Sequence, residues 1–155
     1  MSLKNISHVD APAQTKYSPE EWAVRVDLAA AYRLVHNYGW TDMIYNHISA
    51  RVPSTEGHFL LNPYGLAYDE ITTFLLVTVD LASNVVHAPD PAYSSNMAGY
   101  VIHSAVHEAR HSAGCVIHTH TPAGMAVAAL KCGLLPALPT MTMKALHLRQ
   151  TSVSV

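Results

Sequence analysis

The run Gly114-Cys115-Val116-Ile117-His118-Thr119-His120-Thr121-Pro122 constrains this chain more than any other stretch. Its β-prone middle, opened by Gly and closed by Thr-Pro, predicts a buried strand over residues 115–120 that leads into a helix. Because side chains alternate across a strand, His118 and His120 should share a face, with Cα atoms roughly 6–7 Å apart. Two imidazoles at that separation can bind one Zn²⁺, Mn²⁺ or Fe²⁺, and a catalytic site adds a third protein ligand and an open position. The alternative is a pair of hydrogen-bonded histidines at a strand end.

Two longer helices are predicted upstream of this run. Ser18-Pro19-Glu20-Glu21 combines an N-cap serine, a proline at the first helical position and a capping-box glutamate. The helix should continue to about Tyr38 and end at Gly39. Residues 1–17 lack periodicity and are predicted to be a flexible arm, which leaves residues 18–155 as one domain. A second helix is predicted over residues 97–111, and its predicted packing face consists of Ile102, Ala105, Val106 and Ala109.

Shorter elements are predicted around these helices. Phe59-Leu60-Leu61 indicates a strand, Asn62-Pro63-Tyr64-Gly65 a tight turn, and Ala82-Ser83-Asn84 a hairpin link into the next strand. After the histidine run, Thr121 and Pro122 should begin a helix that extends to about Cys132.

Composition excludes several classes of protein. Half of the 155 residues are apolar and only 13% are charged, which favours a well-buried, oligomeric chain. A net charge of −2 gives no reason to expect nucleic acid or an anionic membrane as a partner. The sequence lacks an apolar run of about 18 residues and an evident secretory signal, so a cytoplasmic location is expected. Cys115 and Cys132 are predicted to be small core residues.

Residues 107–111 read His-Glu-Ala-Arg-His and therefore match the zincin pattern His-Glu-x-x-His. Neither an acidic residue nor a correctly spaced histidine follows Glu108 to act as a third ligand. We therefore interpret His107 and His111 as solvated histidines at a helix end. His103, one turn earlier, is interpreted as a hydrogen-bonding histidine at the edge of a core or site.

Several motifs together resemble the class II aldolase/adducin family. They are Asn46-His47-Ile48-Ser49-Ala50-Arg51, Leu61-Asn62-Pro63-Tyr64-Gly65, Gly99-Tyr100-Val101-Ile102-His103 with the residues up to Arg110, and Val116 to Gly124. They occur in the family's order and at its spacing. The resemblance implies a three-layer α/β/α fold with a central mixed β-sheet, and a homo-oligomer, usually a tetramer. It also implies a divalent metal held by three histidines, two of them His118 and His120.

The chain departs from the sugar-phosphate aldolases of that family at three places. The position of their acid/base glutamate, nineteen residues before the first metal histidine, is Gly99, as in the adducin-like branch. Tyr64 precedes Gly65 where their phosphate loop has threonine. The segment carrying the third metal histidine is not evident before Val155, so the fold is expected to be incomplete at its C-terminus and metal occupancy low.

The function expected from these features is that of a metal-dependent lyase. Zn²⁺, or alternatively Mn²⁺ or Fe²⁺, on His118 and His120 would polarise an oxygen of a hydroxy acid, keto acid or sugar derivative during retro-aldol cleavage or decarboxylation. The expected substrate-binding residues are Asn46, His47, Ser49, Tyr64 and Gly65. With Gly99 unable to move a proton, His47 and Tyr64 are the candidates for that step. The alternatives are an inactive adducin-head-like oligomerisation module and an iron-dependent oxygenase.

Overall fold

The computed structural model describes residues 16–53, 55–82, 84–94 and 97–132. The chain divides into two compact units, residues 1–119 and residues 120–155. The first unit contains helices α1 (Pro19–Asn37) and α2 (Met97–Ala109) and strands β1 (His47–Arg51), β2 (Phe59–Leu61), β3 (Val77–Val79), β4 (Val85–His87) and β5 (Cys115–His118), with a 3-10 turn at Tyr68–Glu70. The second unit contains helix α3 (Pro122–Ala128). Most of the predicted arm and the residues beyond Cys132 lie outside the described residues.

The helix starts are those predicted from the sequence. The Ser18 hydroxyl accepts a hydrogen bond from the Glu21 N–H at 3.1 Å, and Pro19 begins α1. In the second unit, the Thr121 hydroxyl accepts from the Gly124 N–H at 3.1 Å. Helix α3 ends at Ala128, before the predicted Cys132.

The sheet of the first unit has the strand order β4-β3-β2-β1-β5. All four pairings are antiparallel, whereas the predicted sheet was mixed. Short connections explain the antiparallel β1-β2 and β3-β4 pairs, because a parallel pair needs a crossover of a dozen or more residues. Helix α2 connects β4 to β5, which pairs with β1 at the other side of the sheet.

An apolar core fills the space between α1 and one face of the sheet. Tyr32 is fully buried there and its hydroxyl oxygen accepts the Ile48 N–H at 3.0 Å. Burial and nearby Tyr68 raise the pKa of Tyr32 well above its ordinary value, so the phenol stays protonated. The core cluster consists of Leu28, Tyr32, Val35, Ile48, Ala50, Val52, Leu60, Tyr68, Ile71 and Leu76.

The buried Arg25 side chain links α1 to β3 by hydrogen bonds. The Arg25 side chain is fully buried and pairs with Glu21 at 2.8 Å. Its Nη1 donates to the Leu76 carbonyl at 3.0 Å, and its Nη2 donates to the Thr78 hydroxyl at 3.0 Å. Tyr17, within the predicted flexible arm, lies with its ring 3.9 Å from the guanidinium carbon of Arg25, so this end of the arm is packed.

Helix α2 packs with a different face from the one predicted. Ile102 is 46% exposed, and Ala105 and Ala109 are exposed as well. The buried positions include Gly99, Tyr100, His103 and His107, which also recur at helical spacing. The spacing of the apolar residues therefore did not predict the buried face of α2, because that face includes the polar side chains of His103 and His107.

The prediction that the two cysteines are core residues is wrong. Cys115 and Cys132 are both exposed rather than core residues. Cys115 lies at the start of β5, which has only β1 as a neighbour among the described strands. None of the helices in the described ranges is long and apolar enough to cross a membrane.

Candidate active site

Alternation along β1 separates the apolar core from a polar cluster. Ile48 and Ala50 belong to the core beneath α1. His47 and Ser49 therefore point to the opposite face of the sheet, where both contact histidines of α2. Arg51, at the end of the same strand, donates from Nη2 to the His107 carbonyl at 2.7 Å and so caps the last turn of α2.

Three histidines and a serine form a continuous hydrogen-bonded row on this face. His47 Nδ1 lies 2.9 Å from His103 Nε2, and His103 Nδ1 lies 2.6 Å from Ser49 Oγ. Ser49 Oγ in turn lies 2.9 Å from His107 Nε2. No residue of this row is more than 1% exposed. We call His47, Ser49, His103 and His107 the histidine row.

Two histidines of the row, His103 and His107, are neutral near pH 7. Burial, with a smaller effect from neighbouring histidines, lowers the pKa of His103 to about 3. Burial and the Arg51 charge lower the pKa of His107 to about 4, although the Ala113 carbonyl acts in the opposite direction. The four buried polar side chains are thus accommodated because they hydrogen-bond to one another and because His103 and His107 carry no charge.

Strand β5 brings His118 beside one end of the histidine row. His118 is paired directly with His47 across the antiparallel ladder, so the two side chains share a face. Their rings stack with centroids 4.9 Å apart and planes within 15° of parallel. The sequence motifs around residues 47 and 118 therefore meet in space, although they are far apart along the chain.

The predicted strand ends two residues early. Strand β5 stops at His118, and His120 begins the second unit. The alternation argument therefore does not extend to His120, and the pairing of the two histidines as metal ligands stays a prediction. Among the residues that the structure describes, no group of three or more His, Cys, Asp or Glu side chains is arranged to hold a metal ion.

The other predicted substrate-binding residues lie in two loops. Asn46, which is fully buried, donates from Nδ2 to the Trp40 carbonyl at 2.6 Å and accepts the Asp42 N–H at 2.8 Å, which orders the loop before β1. Tyr64 is 52% exposed in the turn after β2, and Gly65 has φ +89°, a backbone conformation that favours glycine. The structure thus brings His47, Ser49 and His118 together and leaves Tyr64 at the surface.

The zincin-like pattern is not a metal site. His107 is fully buried within α2, but His111 is exposed and lies beyond the end of that helix at Ala109. The expectation of a solvated residue holds for His111 and is wrong for His107. His103 is a buried, hydrogen-bonding histidine, as expected.

Gly99 of α2 lies directly against the ring of His47 in β1. A Cβ atom on this residue would lie 2.7 Å from Cγ and 2.8 Å from Cδ2 of His47, closer than real atoms approach. The imidazole therefore occupies the space in which a side chain at residue 99 would begin. The recurrence of Gly99, His103 and His107 at every fourth residue is a signal in the sequence that could have revealed this buried polar stripe.

Comparison with known proteins identifies the family. Residues 26–154 match the family model described as Class II Aldolase and Adducin N-terminal domain. This chain belongs to the class II aldolase/adducin family. A candidate class 2 aldolase of Pseudomonas aeruginosa is 53% identical over 131 residues, which are 84% of this chain and 49% of that protein. Mouse alpha-adducin is 49% identical over 123 residues, 79% of this chain and 17% of the adducin.

A solved structure agrees with this assignment. The aldolase II superfamily protein from Pseudomonas syringae shares 54% sequence identity and a TM-score of 0.72, over 81% of this chain and 49% of that one. The predicted α/β fold of the class II aldolases is therefore confirmed. The chain spans about half the length of the bacterial relatives that it matches.

Proposed function

We propose that this chain is part of a metal-dependent carbon–carbon lyase that acts on a small hydroxy acid, keto acid or sugar derivative by retro-aldol cleavage or decarboxylation. The observation that carries the proposal is the buried histidine row, whose His47 end stacks on His118. Burying four polar side chains gains little stability compared with an apolar filling of the same volume. Their presence beside a strand end that carries His118 is typical of a chemical site.

The donor chemistry at the strand end fits a divalent metal. His118 and His120 offer imidazole nitrogens, which suit Zn²⁺ and, as alternatives, Mn²⁺ or Fe²⁺. A bound ion would act as a Lewis acid toward a substrate oxygen. Further ligands would come from outside the described residues, from water or from a neighbouring subunit, which favours low occupancy.

The histidine row makes His47 the stronger of the two candidates for contact with the reacting substrate group. Its ring is buried and stacks on His118, whereas Tyr64 is half exposed in a surface turn. Residue 99 has no side chain that could act as acid or base, so this contact falls to the imidazole that takes its space. We propose that Asn46, Ser49 and the Tyr64-Gly65 turn shape the remainder of the substrate site.

Elemental analysis of the purified protein tests the metal ligands. We expect a divalent metal, Zn²⁺ first among them, that is lost in the variant H118A/H120A and retained in the matched control His111→Ala, since His111 is exposed outside the helix. A metal content unaffected by H118A/H120A would contradict the assignment. Cleavage of hydroxy acids and sugar derivatives by the metal-loaded protein, absent from the double variant, would support the lyase.

A second candidate is a catalytically inactive, adducin-head-like oligomerisation module. The observations that favour it are the 49% identity to mouse alpha-adducin and the glycine at residue 99. Both candidates imply a cytoplasmic homo-oligomer, a tetramer by family resemblance. A folded oligomer in light scattering that takes up no metal and cleaves none of the screened compounds would favour the module over the lyase.

A further inference from the structure

The two outer strands of the sheet, β4 and β5, differ in how their free edges are protected. The pairing of β4 with β3 contains a register shift, and Pro89 and Asp90 follow the strand closely. Bulges, prolines and charges are features by which proteins prevent a sheet edge from pairing with another chain. In contrast, β5 pairs with β1 without a register shift, and residues 111–130 contain no Lys, Arg, Asp or Glu. The β5 edge is therefore the one that is open to a further strand.

The hydrogen bonds of β5 show which of its backbone groups face this open edge. The Arg51 N–H donates to the Gly114 carbonyl at 2.8 Å, so these two residues are a hydrogen-bonded pair of the antiparallel ladder. Hydrogen-bonded and non-hydrogen-bonded pairs alternate along such a ladder, so every second residue after Gly114 also bonds to β1. Cys115 and Ile117 lie in the other pairs, and their N–H and carbonyl groups therefore face away from β1.

The contacts of Ile48 support this pattern from the other side of β1. Ile48 lies opposite Ile117, and its N–H donates to the Tyr32 hydroxyl at 3.0 Å rather than to β5. The same hydroxyl lies 2.9 Å from Oδ1 of Asn62, directly after β2, so the backbone groups of Ile48 point toward β2. Among the strands that the structure describes, only β1 pairs with β5, which leaves the outward groups of Cys115 and Ile117 at an open edge.

Exposed apolar side chains accompany this edge on both faces of the sheet. Ile117 is 56% exposed, and Cys115, also exposed, lies on the same face of β5. On the opposite face, α2 contacts both β1 and β5 and exposes Val101 and Ile102, by 58% and 46%. Apolar side chains beside an unpaired strand edge are typical of a surface that binds another strand.

We propose that β5 is a homodimer interface, at which two copies of this chain pair their β5 strands antiparallel about a twofold axis at Val116. The two outward-facing residues, Cys115 and Ile117, lie on either side of Val116. In this register, Cys115 forms a hydrogen-bonded pair with Ile117 of the partner subunit, and Ile117 forms the equivalent pair with the partner subunit's Cys115. The two five-stranded sheets then become one continuous sheet.

Charge and geometry favour a second copy of the chain as the occupant of this edge. Because residues 111–130 lack Lys, Arg, Asp and Glu, two copies meet here without repulsion between like charges. An antiparallel partner also continues the pairing that every strand pair of the sheet already shows.

Helix α2 supplies the additional area that a dimer needs. A stable interface buries about 800 Å² on each partner, which is more than one strand pair supplies. The twofold axis is perpendicular to the sheet, so the α2 helices of both subunits lie on the same face of it, and we expect Val101 and Ile102 to contribute. The interface goes beyond the proposed function, because it is equally compatible with a lyase and with an oligomerisation module.

Hydrogen exchange of the full chain tests the pairing without any substitution. Sedimentation velocity first gives the dimer Kd, and NMR then follows amide exchange at protein concentrations below and above it. Above the Kd, the amides of Cys115 and Ile117 should become protected, whereas the amides of Val116 and His118 should be protected at both concentrations by β1. Protection of Cys115 and Ile117 in a chain that sediments as a monomer would mean that a segment of the same chain pairs with β5, and would overturn the inference. Fast exchange of both amides in a dimer would overturn it as well.

Lysine substitutions at the two edges of the sheet locate the interface. Ile117→Lys places a charge on the proposed interface, and we expect it to raise the dimer Kd by about tenfold or more. Val86→Lys is the matched control, since Val86 is 50% exposed on β4, and it should leave the Kd unchanged. An unchanged Kd in Ile117→Lys, or an equal increase in both variants, would contradict the interface.

Two features of these experiments keep their outcomes separate from others. If Ile117→Lys does not fold, the exchange measurement on the wild-type chain decides. Neither measurement needs metal or substrate, so a negative metal analysis would overturn the lyase proposal and leave this interface standing.

Discussion

The two faces of β1 differ sharply although they share five consecutive residues. Beneath α1, Ile48 and Ala50 join an apolar cluster in which the polar groups are phenols. Beneath α2, His47 and Ser49 join two histidines in a row of mutual hydrogen bonds. The side chains on both faces are buried. One face stabilises the fold by apolar burial, and the other carries polar groups whose net contribution to stability is small, which is the reason that we propose a chemical role for it.

Ile48→Ala should produce the largest effect, because it opens a cavity in the apolar face. Ile48 is fully buried, so we expect a loss of about 2–5 kcal/mol in the free energy of unfolding, measured by urea titration. The matched control is its cross-strand partner, Ile117, which is 56% exposed. Ile117→Ala should change stability by no more than about 0.5 kcal/mol. Equal losses in the two variants would contradict the assignment of Ile48 to the buried core, since the two residues share a face and differ in burial.

Gly99→Ala should have the next largest effect, on the polar face. Alanine favours a helix by about 1 kcal/mol over glycine, but its Cβ would strike the His47 ring. We expect a net loss of about 1–3 kcal/mol, the usual cost of overpacking. A Cβ at Gly114 meets nothing within 4 Å, so Gly114→Ala is the control. His47→Ala in the same chain should remove most of the loss, and a stabilised Gly99→Ala single variant would refute the close contact.

Acidification should weaken the polar face selectively. The folded pKa values of His103 and His107, about 3 and about 4, lie below the unfolded value of 6.5, so the unfolded chain binds more protons as pH falls below that value. The free energy of unfolding should therefore decrease from pH 6.5 toward pH 4.5, by up to about 1.4 kcal/mol per pH unit for each histidine.

Urea titrations from pH 5 to pH 7 in two variants isolate this effect. His103→Gln should show a smaller pH slope than the wild type, by about one bound proton. His111→Gln, at an exposed residue, should keep the wild-type slope. The pKa of His87 is also lowered by burial, but its contribution is common to both variants and cancels. Identical slopes in the two variants would show that His103 is not held neutral by the fold.

Local signals in the sequence predicted much of the fold. The Ser18 and Thr121 caps, the Phe59–Leu61 strand and the turn at Gly65 depend on neighbouring residues, and all four are present in the structure. Family motifs predicted the α/β architecture. The buried face of α2 could not be read from apolar periodicity, because His103 and His107 are buried only through partners on a distant strand. The end of β5 at His118 is likewise set by its pairing with β1.

The histidine row is a tertiary feature of the same kind. His47 and His103 are 56 residues apart in sequence, and nothing local to either predicts their contact. The sequence suggested His47 as a residue of the site by family motif, and it suggested His103 as a hydrogen-bonding histidine. That these are members of one row, ended by His107 and bridged by Ser49, follows only from the antiparallel sheet and the helix that crosses it.

The close approach at Gly99 has a consequence for anyone redesigning this protein. Installing a glutamate there, to give the chain an acid/base carboxylate, cannot succeed as a single change, because the imidazole of His47 already fills the space where that side chain would begin. The space between residues 47 and 99 can therefore hold either an imidazole ring from the sheet or a carboxylate side chain from the helix, but not both. A designer who wants the carboxylate must first replace His47 with a smaller residue and only then substitute Gly99.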